Sequence, residues 1–353
     1  MSTNLRPHTT MMIVPTGVGA AIGGYAGDAL PVARAIATVT DRLITHPNVL
    51  NGAQLYWPLP NAYYVEGYGL DQFAAGRWHL QPVHQNTIGL VLDRAIEDDL
   101  RWRHLQAADA ARATLGLDIH SYVITDTPLG IRLKQADAAT WGTLEHPDSL
   151  LRAAEQLLQA GCNAIAVVAR FPDDVGSDAL NAYRQGDGVD PLAGAEAVIS
   201  HLVVRQFQVP CAHAPALQPL PLEPSISPRS AAEEIGYTFL PCVLAGLSKA
   251  PQFSSIAQAH SISASDVDTL VVPASALGGS AVLSLSGTTT QILAVQDNTT
   301  ALAVDAAALG LRVVTVRSYL EAIGAIAAQR AGVSLLPFTQ TMPQIPPLSA
   351  TKA

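Results

Sequence analysis

The sequence predicts an α/β fold in which one or more mostly parallel sheets are flanked by helices in Rossmann-like layers. Short apolar runs of the length of buried strands alternate with segments of helical spacing through most of the chain, which is typical of parallel sheets. The composition agrees, because 49% hydrophobic and 14% charged residues describe a well-packed globular protein. In such a fold, ligands bind outside the carboxyl ends of the strands.

The first half of the chain contains short apolar strands and amphipathic helices. A strand at 10–15 leads into a glycine-rich loop, and Asp28 can cap the helix that continues to about Thr40. Apolar residues at helical spacing predict a helix over 98–115, which Gly116 ends. The other strands predicted here are 41–45, 54–57, 63–66, 88–92, 119–125, 130–134 and 164–169, and the other helices lie near 70–75, 150–158 and 190–202.

Residues 208–228 hold six prolines and little periodicity, which predicts a connection between two units. We therefore expect an N-terminal α/β domain over 1–207, with an aromatic-rich insertion at 49–86, and a C-terminal α/β unit over 229–353 that packs on it. In the C-terminal unit the predicted strands are 270–273, 291–295 and 313–316, and the predicted helices lie at 228–234, 239–248, after 280 and at 319–331.

The glycine-rich loop after the first strand is a candidate ligand site. It places five glycines within 17–27, and glycine permits positive φ angles and close backbone approach. The spacing departs from the dinucleotide fingerprint by one residue, and the chain contains no P-loop motif, so the loop names no cofactor. The alternative to a ligand site is that these glycines only form tight turns and bind no ligand. The candidate residues are Thr16, Gly17, Gly19, Gly23, Gly24 and Asp28, the last of which also fits a helix cap.

A second loop repeats the order strand, proline, glycine pair, helix, strand and asparagine. Each copy places amides at a helix N-terminus beside an asparagine, and such a place suits a carboxylate or a phosphate. We therefore expect the two loops to converge on one small anionic metabolite. The candidates that this adds are Asn48, Gly278, Gly279, Ser280, Asn298 and Thr299.

His46 and Glu66 are the candidates for moving protons. His46 ends the second predicted strand, and a histidine can exchange protons near neutral pH. Glu66 follows aromatic residues, where burial would raise its pKa and suit a general acid or base. Each has a structural alternative: His46 as a polar neighbour of a turn that Asn48 caps, and Glu66 as a surface carboxylate.

Charge and cysteine usage limit the partners. The net charge of −9 argues against nucleic acid, and no cationic run or long apolar stretch predicts a membrane partner or span. Three widely separated cysteines predict reduced, buried thiols in the cytoplasm. No histidine, cysteine or acidic spacing matches a metal motif, so we expect no metal. The low charge also fits a homo-oligomer.

Several motifs across nearly the whole chain are long enough to be specific. They are PTGVG at 15–19, GGYAGD at 23–28, THPN at 45–48, YVEGY at 64–68, LGG at 277–279, NTT at 298–300 and YLEA at 319–322. In these motifs the chain resembles a conserved domain of unknown function from photosynthetic bacteria. The resemblance implies a cytoplasmic location and transfers no activity.

The sequence thus predicts a soluble enzyme that acts on a small carboxylate or phosphate metabolite between the two glycine loops. The reaction class stays open. The alternative is a non-catalytic binding or assembly protein that uses the aromatic segment 56–78 as a partner surface, because tryptophan and tyrosine are enriched at interfaces.

Overall fold

A computed structural model describes residues 6–50, 59–136, 139–173, 177–234, 238–339, 341–345 and 347. Two parallel sheets and two antiparallel strand pairs organise this part of the chain. The strands are β1 (Thr9–Met12), β2 (Arg42–Thr45), β3 (Ala62–Tyr64), β4 (His79–Gln81), β5 (Ile88–Leu92), β6 (Ile119–Ile124), β7 (Ile131–Ala136), β8 (Ala139–Leu144), β9 (Ala164–Arg170), β10 (Cys211–Ala216), β11 (Gln252–Ser254), β12 (Val267–Pro273), β13 (Gln291–Val295) and β14 (Val314–Val316).

Helices cover both faces of the two sheets. They are α1 (Leu30–Val39), α2 (Pro47–Leu50), α3 (Gly67–Ala74), α4 (Asp98–Leu115), α5 (Pro147–Gln159), α6 (Asp178–Arg184), α7 (Ala193–Phe207), α8 (Ala231–Glu234), α9 (Leu240–Ser248), α10 (Ser280–Ser286), α11 (Ala306–Leu309) and α12 (Tyr319–Arg330), with 3₁₀ turns at Ala264–Asp266 and Leu336–Phe338. In the described part of the chain, no helix combines the length and apolar character that a bilayer crossing requires.

The larger sheet has the order β14-β13-β12-β1-β2-β3, and every neighbouring pair in it is parallel. The smaller sheet has the order β10-β9-β5-β6 and is also parallel throughout. The predicted mostly parallel α/β architecture is therefore confirmed. It follows from strands that are buried on both faces and read as continuous apolar runs, as in β5 and β9.

One apolar core joins the two sheets. Successive residues of a strand point to opposite faces, so Met12 and Leu90 lie in the shared core while Met11 and Val91 lie in separate outer clusters. Helices α1, α4, α9 and α12 contribute to the shared core, α3 and α10 cover the outer face of the larger sheet, and α5 and α7 cover the outer face of the smaller one.

Sheet membership divides the chain differently from the predicted boundaries. The larger sheet takes β1–β3 from the start of the chain and β12–β14 from its end, while the smaller sheet takes β5, β6, β9 and β10 from the middle. The predicted connection at 208–228 contains β10, an edge strand in which Pro215 is tolerated because an edge lacks one neighbour. The strand predicted at 54–57 lies outside the described residues.

The hairpin β7–β8 packs closely on the start of α7. A Cβ atom added at Gly194 would lie 2.1 Å from the carbonyl oxygen of Thr140, and one added at Gly142 would lie 2.3 Å from the Cβ of Ala195. The hairpin also reaches the first glycine loop, because the Thr140 amide donates to the carbonyl of Gly17 at 3.2 Å. These contacts fix the smaller sheet's helical layer against the loop that follows β1.

Candidate functional site

A cavity of about 430 Å³ lies between the carboxyl ends of the two sheets. From the larger sheet, Thr16 follows β1, His46 follows β2 and Glu66 follows β3. The opposite wall is formed by β10, α6, α7 and the segment around α8. Its position is the one that parallel α/β sheets favour for ligands.

The first glycine loop forms part of the cavity wall through Thr16 and Gly24. Four of its glycines have positive φ angles, with 68° at Gly17 and 92° at Gly23. The Asn48 side-chain amide donates to the carbonyls of Val14 at 2.9 Å and Gly23 at 2.8 Å, so it fastens the loop to the strand end. Asn48, a ligand-binding candidate in the sequence, therefore uses its side-chain nitrogen to hold the loop.

Carboxylates of the chain itself accept hydrogen bonds from this loop. The Gly23 amide donates to Asp28 Oδ1 at 2.7 Å, and the Ala26 amide donates to Glu233 Oε1 at 2.8 Å. The other oxygen of Asp28 lies 3.2 Å from the guanidinium of Arg229. Burial, the largest effect on Asp28, raises its pKa despite these hydrogen bonds.

The segment after β13 that carries Asn298 contacts the first glycine loop, whereas residues 277–280 of the second glycine loop do not line the cavity. The Asn298 side chain accepts a hydrogen bond from the Ile22 amide and donates to the Ile22 carbonyl, both at 2.9 Å, and the Ala21 amide donates to the Thr299 carbonyl at 2.9 Å. The described residues that line the cavity do not include Gly278, Gly279, Ser280, Asn298 or Thr299.

An internal anion also occupies the helix start of the second loop. The carboxylate of Asp71, on α3, interacts with the backbone of Ala281 and the hydroxyl of Ser280 at the N-terminus of α10. Both glycine loops thus face acids that belong to the chain. This arrangement differs from the one pocket for an external anion that the sequence led us to expect.

His46 is held as a neutral imidazole. Its Nε2 accepts a hydrogen bond from the Val14 amide at 3.0 Å, so the ring proton sits on Nδ1. The residue is 9% exposed, and burial lowers its pKa to about 4. At neutral pH it can donate a hydrogen bond into the cavity but does not carry a positive charge.

Glu66 caps α3 and pairs with a histidine of the opposite wall. Its Oε2 accepts hydrogen bonds from the amides of Tyr68 at 2.8 Å and Gly69 at 3.2 Å, and its Oε1 forms an ion pair with His201 Nδ1. Burial lowers the pKa of His201, but the hydrogen bond and charge of Glu66, with the charge of Asp71, outweigh it and raise the pKa overall. The pair joins the two sheets across the cavity floor.

Four further carboxyl groups line the cavity from the side of the smaller sheet: Glu234, which pairs with Arg184, and three for which the described residues show no such pair, Asp190, Glu196 and Glu233. Burial raises the pKa of Asp190 to about 6 and that of Glu233 to about 7, and the charge of Asp190 adds to the effect on Glu233. Burial, with the charges of the other two acids, raises the pKa of Glu196 well above its ordinary value. The pKa values of all three groups are thus raised from their ordinary values toward the neutral range or beyond it.

Each of these acids is positioned by the backbone or by a neighbouring side chain. Asp190 Oδ1 accepts the Leu192 amide at 2.8 Å at the start of α7, and Glu233 Oε1 accepts the Tyr183 hydroxyl at 2.8 Å. Glu196 lies in the first turn of α7, and its Oε2 lies 3.8 Å from Nε2 of His213. These acids are therefore oriented toward one space.

His213 is also neutral. Its Nδ1 is hydrogen-bonded to the Ser200 hydroxyl at 3.1 Å, and burial, with the charge of His201, lowers its pKa to about 4. The nearby guanidinium of Arg184 forms an ion pair with Glu234 at 2.9 Å. The cavity therefore combines carboxyl groups with neutral hydrogen-bonding side chains.

Comparison with known proteins assigns the chain to a family. Residues 9–338 match the model of a protein family of unknown function, DUF3326. The chain belongs to the DUF3326 family. An uncharacterised lipoprotein of a Synechococcus species is 64% identical over 331 residues, which cover 93% of this chain and 92% of that protein. The resemblance found in the sequence motifs is confirmed.

A solved nucleotide-free structure of acetone carboxylase gives a slight likeness. It shares 17% identity over 43% of this chain and 20% of that chain, with a TM-score of 0.16. A likeness of this size supports no conclusion about the DUF3326 protein. The cytoplasmic location expected from the sequence stays a prediction, since the Synechococcus relative is called a lipoprotein.

The sequence did not predict that Asp190, Glu196 and Glu233 line the cavity of the DUF3326 protein. Asp190 was assigned only to a helix start, while Glu196 and Glu233 received no role. One pattern in the sequence could have indicated Glu196: it lies four residues before Ser200, so two polar residues share one face of the mostly apolar helix α7. Nothing local links them to Glu233, which follows 33 residues later in the chain.

The aromatic segment does not form an exposed surface where the structure describes it. Tyr64, Phe73 and Trp78 are buried, and Tyr68 packs edge-on against Trp78 with ring centroids 5.7 Å apart. Tyr56 and Trp57 lie outside the described residues. The described aromatic residues of this segment therefore serve the core of the DUF3326 protein.

Proposed function

We propose that this DUF3326 protein is an enzyme that binds a small metabolite in the cavity between its two sheets. The observation that supports this most strongly is the grouping of Asp190, Glu196 and Glu233 around one space of about 430 Å³. Carboxyl groups whose pKa values are raised toward neutral pH are suited to exchange protons with a substrate.

In this proposal Glu196 is the group that transfers the proton. It faces the cavity beside His213, and its side chain is 19% exposed, so a substrate atom can approach it. Glu233 and Asp190 keep Glu196 protonated at neutral pH, because ionising all three so close together is unfavourable.

The two residues first predicted to move protons take other roles here. His46 accepts the Val14 amide at Nε2 and offers the Nδ1 hydrogen to a ligand, and Glu66 holds α3 and His201 in place. Both still belong to the cavity wall, so replacing either is expected to weaken ligand binding.

The anionic metabolite predicted from the sequence has less support. The glycine-loop amides of Gly23 and Ala26 already donate to Asp28 and Glu233, and Arg184 is paired with Glu234. An external carboxylate or phosphate would meet more carboxyl groups than cations in this cavity. The homo-oligomer stays a prediction, and we propose no nucleic-acid or membrane partner.

Turnover of a metabolite mixture tests the proposal. Incubation of the purified protein with pooled metabolites, followed by mass spectrometry, should show the loss of one compound and the gain of another. Glu196→Gln should slow this conversion by about 10²–10⁴-fold, the contribution of general acid–base catalysis. Glu155→Gln, an exposed acid on α5, is the matched control and should not change the rate.

Equal conversion by the wild type and Glu196→Gln would refute the role of Glu196. Binding of a compound without any conversion would instead favour a non-catalytic binding protein that uses the same cavity.

A further inference from the structure

The cavity has two walls of different chemistry. The wall from the larger sheet presents neutral donors, the His46 imidazole and the Thr16 hydroxyl. The wall from the smaller sheet presents Asp190, Glu196 and Glu233. A ligand that fits both walls must differ in chemistry between its two ends.

The cations near the acidic wall are already engaged. Arg184 pairs with Glu234 at 2.9 Å, and Arg229 pairs with Asp28 at 3.2 Å. His201 pairs with Glu66, which leaves no described cation at hydrogen-bond distance from the three acids. His213, the histidine nearest to Glu196, is neutral because burial lowers its pKa to about 4.

Ionisation of these acids is unfavourable because no described cation faces them. Burial, followed by the like-charged Asp190 and Glu233, raises the pKa of Glu196, and burial raises the pKa of Asp190 against the opposing effect of two backbone amides. Carboxyl groups in a partly buried space favour a positively charged partner, since burial without one is costly.

His46 is a second and independent feature of the cavity. It is 9% exposed and lines the space, and its Nε2 is fixed as an acceptor by the Val14 amide at 3.0 Å. The Nδ1 hydrogen has no hydrogen-bond acceptor among the described residues. Because the Val14 amide occupies Nε2, Nδ1 is the ring nitrogen that is left to donate to an acceptor atom on a ligand in the cavity.

We infer that the ligand is a small organic cation, with a protonated amine that binds among Asp190, Glu196 and Glu233, and with a neutral carbonyl or hydroxyl oxygen that accepts a hydrogen bond from His46 Nδ1. This inference rests on the proposed function, because it names the substrate class of the same cavity. A volume of about 430 Å³ accommodates a compound of metabolite size.

Isosteric probes test the charge of the ligand. We would measure binding of 4-aminobutanamide, of pentanamide, in which a methyl group replaces the ammonium group, and of glutaramate, in which a carboxylate replaces it. Saturation-transfer NMR and thermal shift of the full chain report binding. The ammonium compound should bind about tenfold more tightly than pentanamide, the value of one hydrogen bond between charged groups, and glutaramate should bind most weakly.

Two variants locate the probe. Glu196→Gln should lower the affinity for 4-aminobutanamide by about tenfold and leave the affinity for pentanamide nearly unchanged, because glutamine keeps the shape but cannot ionise to pair with the ammonium group. His46→Met keeps a weak acceptor for the Val14 amide and carries no hydrogen-bond donor. This variant should weaken the binding of 4-aminobutanamide and leave the binding of n-pentylamine, which has no carbonyl, unchanged. Glu155→Gln is again the control.

The outcomes separate this inference from the proposed function. If pentanamide or glutaramate binds as tightly as 4-aminobutanamide, or if Glu196→Gln affects all probes equally, the amine assignment is wrong. The proposed enzyme still stands in that case if Glu196→Gln abolishes turnover of some other compound. If none of the probes binds and no metabolite is converted, both are overturned.

Discussion

Glu233 should make the protein less stable as the pH rises. Burial raises its pKa to about 7 from an ordinary value of 4.5. The folded chain therefore keeps this proton up to about pH 7, while the unfolded chain releases it near pH 4.5. The stability linked to this group is complete below pH 4.5 and is lost as the pH rises through 7.

The size of this loss of stability follows from the pKa shift of Glu233. Each pKa unit corresponds to about 1.4 kcal/mol, so a shift of this size costs at most ~3 kcal/mol above pH 7. Water that enters the cavity reduces this cost, and ~1–3 kcal/mol is the expected range. Glu233→Gln removes the charge but keeps an oxygen that can accept from Tyr183 and Ala26.

Urea unfolding of the wild type and Glu233→Gln at pH 4, 6 and 8 measures the effect. The variant should match the wild type at pH 4 and exceed it by ~1–3 kcal/mol at pH 8. Glu234→Gln is the neighbouring control, and it should destabilise the protein because it breaks the ion pair with Arg184. A difference in the free energy of unfolding between the wild type and Glu233→Gln that does not vary with pH would refute the assigned environment of Glu233.

Three further predictions concern packing and thiol access. Gly194→Ala should lower the free energy of unfolding by at least ~2 kcal/mol in urea titrations, because its Cβ would meet the Thr140 carbonyl. The control Gly324→Ala has open space around it on α12 and should raise the free energy of unfolding by up to ~1 kcal/mol; equal effects would contradict the close packing of α7 on the hairpin. Asp93→Ala should lower the melting temperature, with a loss of ~2 kcal/mol or more, because the buried carboxylate accepts amides of Ala95, Leu129 and Arg170; an unchanged melting temperature would contradict it. The three buried cysteines should resist Ellman's reagent in the native protein and react fully in denaturant, and rapid native labelling would show that one of them is accessible.

The sequence anticipated local elements well. The helix predicted at 98–115 has the observed bounds of α4, because its apolar spacing and the following Gly116, which takes a positive φ of 66°, depend only on nearby residues. Apolar runs such as β5 were also found, since burial on both faces leaves a continuous apolar segment. His46 was correctly placed directly after β2, and Asn48 lies two residues further on, in the short helix α2.

The partners of these residues were not predictable in the same way. The Asn48 side-chain amide donates to the carbonyls of Val14 and Gly23, and burial lowers the pKa of His46 while the Val14 amide occupies its Nε2. Both depend on how the loop folds back on the strand end. The spacing of Asn48 and His46 in the sequence does not predict how the loop folds back.

The amino-acid sequence alone determined the alternation of strands and helices, the parallel character of the sheets and the glycine turns, because each depends on propensity and periodicity over a few residues. The tertiary structure alone decided that β1 pairs with both β2 and β12, and that Asp71 occupies the helix start of the second glycine loop. It also decided that Glu196 and Glu233 face one cavity. The physical reason is that burial and proximity set the charge state of these acids, and both arise only when segments distant in sequence pack together.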